Sequence, residues 1–310
     1  MSAGLRAAGR KRDGGTERGA ILAAIVCHGF WGVSFLASRV ALNTAPVLVL
    51  LSHRFLLAFA LMSLLRLLLG IDCRFRGKPV LRLLALGMLE PVIYFFGEQY
   101  GILHSNTIFS GVMIAMIPIV STLAAVPVLG EKPSGGQLFF SALSVGGVIG
   151  IGLMSSSGGS LDWIGVLGLA VAVLSAVAYT LLNRSLASSF TVFERTYSMM
   201  AQGAAVFTLC AVLSLRGDGA AWLRPLGERS YLISMLFLSV CCSVVSFFLS
   251  SFTLTRLPVA QATVFSNLTT AVSVFAGAVF LHEPFTALGL VCSVLILLGI
   301  YGVQRAAREK

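Results

Sequence analysis

The sequence predicts an all-α membrane protein whose ten transmembrane helices form two inverted five-helix repeats. Of its 310 residues, 57% are hydrophobic and only 11% are charged, whereas a soluble domain carries about a quarter charged residues. The mean hydropathy is +0.94, and apolar stretches of about twenty residues, enough to cross a bilayer as a helix, recur along the chain. Alternating strand patterns are absent from the sequence, which argues against an outer-membrane barrel.

Breaks at proline, glycine and charged residues divide the chain into ten candidate spans. Their predicted limits are 20–41, 46–69, 80–99, 106–128, 135–154, 162–184, 195–215, 231–254, 259–281 and 285–304. The domain limits that follow are a disordered basic cytoplasmic arm (1–19), a first repeat (20–154), a second repeat (155–304) and a cytoplasmic tail (305–310). The arm is rich in glycine and basic residues, which favours disorder, and it does not resemble a cleaved signal peptide.

The positions of the basic residues predict the orientation. Ten spans place both termini on one side, and most of the 22 Lys and Arg residues lie at the termini or in connections on that side. Only Arg216, Arg224 and Arg229 lie in a connection on the other side. Because cytoplasmic loops are enriched in Lys and Arg, we expect a multi-pass protein of the cytoplasmic (plasma) membrane with both termini in the cytoplasm. This distribution also explains the pI of about 9.8 without a nucleic-acid partner.

An internal repeat supports the division into halves. When the chain is shifted by 152 residues, Glu131 in VLGEKP falls on Glu283 in FLHEPF, and Gly147 falls on Gly299. We expect these glycines to permit close contact between helices. Since five helices per half is an odd number, the second half starts on the opposite side and the repeats are inverted, as in many secondary transporters. Each glutamate lies where the next helix begins. We therefore predict that it anchors that helix through the helix dipole and free backbone N–H groups, with a cytoplasmic gate or a proton site as the alternative.

Three parts of the chain resemble a known family. GFWGVSFLASRVAL followed by LLSHRFLLAFAL resembles the opening of EamA-type members of the drug/metabolite transporter superfamily. The segments from Gly101 to Leu153 and from Phe252 to Val303 resemble the ends of the first and second repeats of those proteins. The resemblance implies ten helices in inverted repeats and the export or exchange of a small metabolite or drug by alternating access. One departure is Thr270, which stands where the repeat offset places Pro118.

Four charged residues lie within or at the ends of predicted spans. At about 1.5 Å of rise per residue, Arg54 and Glu90 reach a similar depth from opposite ends of their helices, and Arg39 and Glu98 both reach the outer end. Because charges inside a bilayer are costly, we predict two ion pairs, Arg54–Glu90 and Arg39–Glu98. The first is either a solute or proton site or purely structural, and the second is structural or gating. A free Glu90 would bind a cationic solute or a proton, and Pro91 loosens the helix beside it.

Five more residues are candidates for the solute or proton pathway. His28 and Trp31 share one helix face, and Tyr94 follows the predicted mid-span glutamate by one helical turn. Tyr179 lies in the sixth predicted span and Asn267 in the ninth. Asn267 is expected to bond between helices more readily than to bind a ligand, and a single membrane histidine is more often a packed group than a proton relay.

Two other classes of protein are alternatives. An intramembrane transferase or protease would carry DDxxD, GxGD or HExxH, and an ATP-driven pump would carry a Walker A motif; the sequence has none of them. A channel or non-transporting scaffold fits the helices, but an inverted repeat favours a transporter. We therefore predict a secondary transporter that is not an enzyme and has no metal site and no cofactor. Its partners are a small-molecule solute and the lipid bilayer, with a coupling proton left open.

The orientation can be measured with introduced cysteines and a membrane-impermeant thiol reagent in intact cells. Cysteines placed near Gly4 and near Lys310 should both be shielded, whereas a cysteine near Gly219 should react, because the basic loops are expected inside. Labelling of one terminus alone would mean an odd number of spans and would contradict the inverted repeat.

Overall fold

The structure, a computed structural model, describes residues 14–104, 113–154, 163–280 and 287–308. Within these ranges the regular structure is entirely helical and contains no strand. The helices are α1 (Gly14–Leu42), α2 (Val47–Leu68), α3 (Val80–Gly87), α4 (Tyr94–Leu103), α5 (Ile117–Leu129), α6 (Gly135–Met154), α7 (Trp163–Leu186), α8 (Val192–Ser214), α9 (Gly219–Leu223), α10 (Arg229–Phe237), α11 (Ser246–Arg256), α12 (Val259–Thr263), α13 (Ser266–Phe280) and α14 (Ala287–Arg308).

Seven helical segments of the described chain are long and apolar enough to cross a membrane. They are Thr16–Leu42, Val47–Leu68, Val80–Glu98, Trp163–Leu186, Val192–Ser214, Arg229–Arg256 and Ala287–Arg308. Two shorter apolar helices cover Met113–Leu129 and Gly135–Gly150. The seven segments coincide with the predicted first, second, third, sixth, seventh, eighth and tenth spans. The predicted fourth span begins among residues outside the described ranges, and the ninth is divided between α12 and α13.

The first helix starts earlier than the sequence predicted. It begins at Gly14, so the end of the segment assigned to a disordered arm is helical. Glu17 lies in the first turn, where a carboxylate interacts favourably with the positive end of the helix dipole. The Arg308 guanidinium, near the end of α14, lies 3.9 Å from the Glu17 carboxylate. The described ends of the chain therefore meet on one side of the bundle, which we call the terminal face; α1 ends and α2 begins at the opposite face.

The helices pack in pairs that cross between the two halves of the chain. α2 packs along α8, and α6 packs along α14. α1 packs against α11 and α13, whereas α7 packs against α4 and α5. Each half therefore completes its core with helices of the other half.

Glycines allow the closest of these approaches. A Cβ atom on Gly147 would lie 2.7 Å from the carbonyl oxygen of Cys292, and one on Gly299 would lie 2.7 Å from that of Phe140. Since real Cβ atoms do not approach other atoms so closely, α6 and α14 require glycine at both positions. The expected role of these two glycines in close helix contact is confirmed.

Two of the spanning segments change to π-helix near their centres, and the first of them is also kinked. A π-helical segment, Met88–Ile93, joins α3 to α4, and Glu90 within it has the extended backbone angles φ −141° and ψ 119°. A second π-helical segment, Leu238–Val245, joins α10 to α11. Pro91 had indicated the first interruption, because proline cannot continue the helical ladder. The second contains no proline, and the sequence analysis missed it.

Candidate functional site

The π-helical segment Met88–Ile93 borders a cavity of about 450 Å³ at the centre of the bundle. The cavity reaches from Leu42 and Val47, at the opposite face, to Thr253 and Thr263 deeper in the bundle. Helices of both halves form its wall, since α1, α2 and α4 meet α7, α11 and α12 there. Irregular backbone is tolerated at membrane depth where it lines such a space.

Nearly all the predicted pathway candidates line this cavity. They are Glu90, Arg54, Trp31, His28, Tyr94 and Tyr179, and Glu98, expected to be structural or gating, lines it as well. Asn267 does not line it. Its side chain is buried and donates a hydrogen bond to the Ser144 hydroxyl at 3.1 Å, the interhelical role that the sequence analysis preferred.

Arg54 is buried without an ion pair to Glu90. Its side chain is 5% exposed, and its Nε donates to the Ser243 hydroxyl at 2.7 Å. The guanidinium lies 5.5 Å from the ring centre of Phe55 and 5.2 Å from that of Phe95, where cation–π attraction stabilises a desolvated cation by about 2 kcal/mol. The predicted Arg54–Glu90 pair was wrong. Equal depth places two residues at one level of the bilayer but does not fix the direction in which each side chain points.

Glu98 has a partner on its own helix. Its carboxylate accepts a hydrogen bond from the Tyr94 hydroxyl at 2.9 Å, and it is the carboxylate that interacts electrostatically with Arg54. The predicted partner of Glu98 was Arg39, whose side chain lies outside the described part of the structure. Arg54, Glu98 and Tyr94 thus form one charge-compensated group.

Glu90 stands apart from that group. Within the described residues, no hydrogen bond or ion pair reaches its carboxylate. The groups that interact electrostatically with it are the Glu98 carboxylate, the Cys27 thiol and the phenols of Tyr94 and Tyr179. Each of these groups is an acid, so none of them supplies a positive charge to Glu90.

The remaining predicted residues are held in place by neutral hydrogen bonds. His28 Nδ1 lies 3.2 Å from the Thr269 hydroxyl, and its ring meets that of Trp31 edge-on, with 5.0 Å between the centroids. The Tyr179 hydroxyl accepts a hydrogen bond from the Asn183 amide at 2.9 Å.

Sequence reasoning missed a group of hydroxyl side chains from the second half. They lie on or next to α11, α12 and α13 and line the same cavity: Ser250, Thr253, Thr263, Ser266, Thr269 and Thr270. Serine and threonine are common in membrane helices as packing residues, so nothing in the sequence separated these positions from the others. The second half contributes no charged side chain to the described lining.

Glu131 joins the two halves at the terminal face. One carboxylate oxygen accepts a hydrogen bond from Arg184 Nε of α7 at 3.0 Å, and the other accepts one from the Val259 backbone N–H of α12 at 2.6 Å. We call this contact the Glu131 clasp. The prediction of a helix-start anchor was correct in kind but named the wrong helix. Ser134 and Gln137 cap α6, the next helix, by bonding to each other's backbone N–H groups.

A second cavity, of about 560 Å³, lies beside this clasp. Glu131, Arg184 and Ala307 line it, which places it at the terminal face. α12 lies between the two cavities, because Ala262 and Thr263 line the central one, whereas Ala260 and Gln261 of the same helix line the second. Glu283, the repeat counterpart of Glu131, lies outside the described residues.

The two π-helical segments are also hydrogen-bonded across the halves. In the first, the Leu89 carbonyl, which accepts the Tyr94 backbone N–H, also accepts a hydrogen bond from the Ser175 hydroxyl of α7 at 2.6 Å. The Cys242 carbonyl in the second segment accepts one from Trp31 Nε1 of α1 at 2.9 Å. In the described ranges, no three His, Cys, Asp or Glu side chains converge on a possible metal position.

A central cavity with charged walls, enclosed by helices of two halves, agrees with what the comparison with protein families found. The model of the EamA-like transporter family matches residues 18–153 and, a second time, residues 163–305. The chain belongs to the EamA-like transporter family. It is therefore a multi-pass membrane transporter, and its membership favours transport over the alternative of an intramembrane enzyme.

Relatives in this EamA-like family match the chain along nearly its whole length. The Bacillus subtilis (strain 168) protein named "Uncharacterized transporter YcxC" is 32% identical over 286 residues, which are 91% of this chain and 92% of that protein. An "Uncharacterized transporter" of Archaeoglobus fulgidus is 25% identical over 279 residues, 89% of this chain and 95% of that protein. A solved structure described only as "Crystal structure of protein" superposes with a TM-score of 0.76 at 18% identity, covering 94% of this chain and 98% of its own, and it shows the shared fold.

The charge arrangement predicts which pairs are energetically coupled. Arg54→Gln and Glu98→Gln should each lower the free energy of unfolding and, with it, the melting temperature. The double variant should lose less unfolding free energy than the sum of the two single losses, by about 0.5–3 kcal/mol. Arg54→Gln and Glu90→Gln should give nearly additive losses, because their side chains are not bonded. Thermal unfolding of the purified variants in detergent measures both double-mutant cycles.

The comparison between the two cycles provides the control, since they share the Arg54 variant. Stronger coupling of Arg54 to Glu90 than to Glu98 would restore the ion pair expected from the sequence and contradict the charge grouping described above.

Proposed function

We propose that this EamA-like protein is a secondary transporter that exports or exchanges a small organic metabolite or drug across the cytoplasmic membrane by alternating access. The observation that carries the proposal is the central cavity. It lies where the two halves meet, its described lining includes three charged side chains, and it extends to Leu42 and Val47 at the opposite face. A site at the interface of two repeats, lined by discontinuous helices, is typical of secondary transporters.

The proposal includes ten spans in two inverted five-helix repeats. Several contacts are reciprocal, as a two-fold relation between the halves requires. Gly147 packs closely against Cys292 and Ile296, and Gly299 packs closely against Phe140 and Ser144. Cys292 and Ile296 are the positions of Phe140 and Ser144 shifted by the repeat offset. The π-helical segments at Met88–Ile93 and Leu238–Val245 also lie at equivalent places. The repeated match of one family model to successive segments supports the same division.

In this proposal the terminal face is cytoplasmic. The basic connections counted in the sequence lie with the ends of the chain, and cytoplasmic loops are the ones enriched in Lys and Arg. The central cavity then opens toward the outside, and the second cavity beside Ala307 forms the vestibule on the cytoplasmic side.

The Glu131 clasp is the cytoplasmic closure in this scheme. It holds the start of α12 through Val259 N–H and pairs with Arg184, and α12 is the layer that separates the two cavities. Release of the clasp would let α12 move and join the vestibule to the central cavity. The gating interpretation of Glu131 is therefore compatible with its role as a helix anchor, because the anchored helix is itself the barrier.

Transport and the use of the central cavity can be tested together. In proteoliposomes, counterflow of a panel of radiolabelled amino acids, nucleosides, amines and drugs, with and without a pH gradient, should identify at least one transported solute. Ser34→Trp should abolish its counterflow, because a tryptophan there would fill the cavity that Ser34 lines. Leu22→Trp is the matched control, since Leu22 lies on the same helix and is 62% exposed.

Equal counterflow in Ser34→Trp and Leu22→Trp would show that solute does not pass through this cavity. Absence of counterflow for every solute of the panel, in a folded protein, would favour a non-transporting scaffold instead.

The clasp predicts a change in access from the cytoplasmic side. Glu131→Gln keeps a hydrogen-bond acceptor but removes the negative charge that interacts with Arg184 and with the helix dipole of α12. The loss of these interactions costs about 1 kcal/mol. In a background with serine at the native cysteines, Thr263→Cys should react about fivefold faster with an impermeant thiol reagent added to inside-out vesicles, the factor that 1 kcal/mol represents. Glu17→Gln is the control, because it removes a terminal-face carboxylate that does not hold α12.

An unchanged reaction rate, together with a lower melting temperature in Glu131→Gln, would reduce Glu131 to a purely structural anchor and would contradict the closure.

A further inference from the structure

We infer that the transported solute is an organic cation, a protonated amine or quaternary ammonium on an apolar or aromatic body, and that Glu90 binds its positive charge. The inference rests on the proposed function and names the class of its solute. It follows from the uncompensated charge in the central cavity and from the chemistry of the wall around that charge.

The cavity has one acidic charge too many. Among the described lining residues, two carboxylates, Glu90 and Glu98, face one guanidinium, that of Arg54. The positive charge of Arg54 acts on Glu98, to which Tyr94 also donates a hydrogen bond. One negative charge is then left without a counterpart, and a carboxylate in a low-dielectric site needs one.

That remaining charge belongs to Glu90. Among the described residues, every group that interacts electrostatically with its carboxylate is itself an acid, and these groups come from three separate elements: Cys27 of α1, Tyr94 and Glu98 of α4, and Tyr179 of α7. In a cavity of about 450 Å³, the missing counter-charge arrives either as a proton or with the solute that enters. An anionic solute would be repelled and a neutral solute would require a protonated Glu90, whereas a cation binds the ionised carboxylate directly.

The rest of the wall fits the body of such a cation. Aromatic rings surround the space, among them Trp31, Tyr94, Phe95 and Tyr179. The faces of aromatic rings attract ammonium groups, quaternary ones included, and bind apolar surface at the same time. The hydroxyls of the second half add neutral hydrogen-bond acceptors for an N–H group but no competing positive charge.

The break in the helix presents the carboxylate to the cavity. Glu90 alone in its π-helical segment has non-helical backbone angles, and its neighbour Leu89 is tied to α7 through the Ser175 hydroxyl. Glu90 is only partly buried and lines the cavity. Its position is therefore set by the fold before any solute arrives, as a selective site requires.

The test measures binding, so that it does not depend on transport. Equilibrium dialysis of purified protein in nanodiscs would compare ammonium compounds of increasing size, from methylammonium to 2-phenylethylammonium, each with the alcohol and the carboxylate of matching skeleton. At least one ammonium compound should bind about tenfold or more tightly than its alcohol, a factor that one uncompensated charge readily supplies. Glu90→Gln should bring that ratio close to one and leave the affinity for the alcohol unchanged.

Two variants serve as controls. Glu228→Gln removes an exposed carboxylate at the opposite face and should keep the ratio. Glu90→Asp keeps the charge and should keep a preference for the cation, so the inference stays testable even if Glu90→Gln does not fold.

Three results would overturn the inference: no ammonium compound binds, the alcohols bind equally well, or Glu90→Gln keeps the preference. Equal binding of ammonium and alcohol would assign to Glu90 a proton alone. Counterflow of a neutral or anionic solute would support the proposed transport and contradict the cation as its solute. Tight cation binding without counterflow of any bound compound would support the cation site and contradict transport.

Discussion

The constraint on which the rest of this structure depends is that a backbone carbonyl inside a bilayer must find its donor within the protein. Two spanning segments contain a π-helical stretch near their centres, Met88–Ile93 and Leu238–Val245. A carbonyl in or beside each stretch accepts a side-chain hydrogen bond, from Ser175 in the first and from Trp31 in the second, and each donor comes from the other half of the chain. These hydrogen bonds join the halves beside the central cavity.

The same constraint acts on the charged side chains, with opposite outcomes for Arg54 and Glu90. An unpaired ion in a low-dielectric interior costs several kcal/mol. Arg54 avoids that cost because a hydroxyl and two aromatic rings solvate its guanidinium, while the charge of Glu98 acts on it. Glu90 has no such shell in the described structure. A carboxylate that has no partner in the protein is tolerated inside a membrane only where a bound group neutralises its charge. The proposed solute class therefore follows from Glu90 rather than from the larger number of apolar residues around it.

In the proposed transport scheme, the Glu131 clasp both anchors one helix and closes the pathway. Its carboxylate is held in a first-half turn yet bonds α7 and α12, which belong to the second half. α12 is a single short helix between two cavities. The hydrogen bond that holds its first residue therefore also stabilises the barrier between the cavities. A charge–dipole term of about 1 kcal/mol or less stabilises such a barrier and still allows it to open on the timescale of transport.

The sequence by itself determined the helical membrane class, most of the spans, the close approach of Gly147 and Gly299, and part of the lining of the central cavity. Of the lining residues, the sequence singled out seven: Arg54, Glu90, Glu98, Trp31, His28, Tyr94 and Tyr179. These features depend on local composition and on helical periodicity, which a sequence contains directly. Only the tertiary structure decided that Arg54 bonds Ser243, that Glu131 holds α12 rather than α6, and that Leu238–Val245 is π-helical without a proline. The physical reason is that depth along a helix axis can be counted from the chain, whereas the direction of a side chain around that axis is set by the packing of helices from the other half.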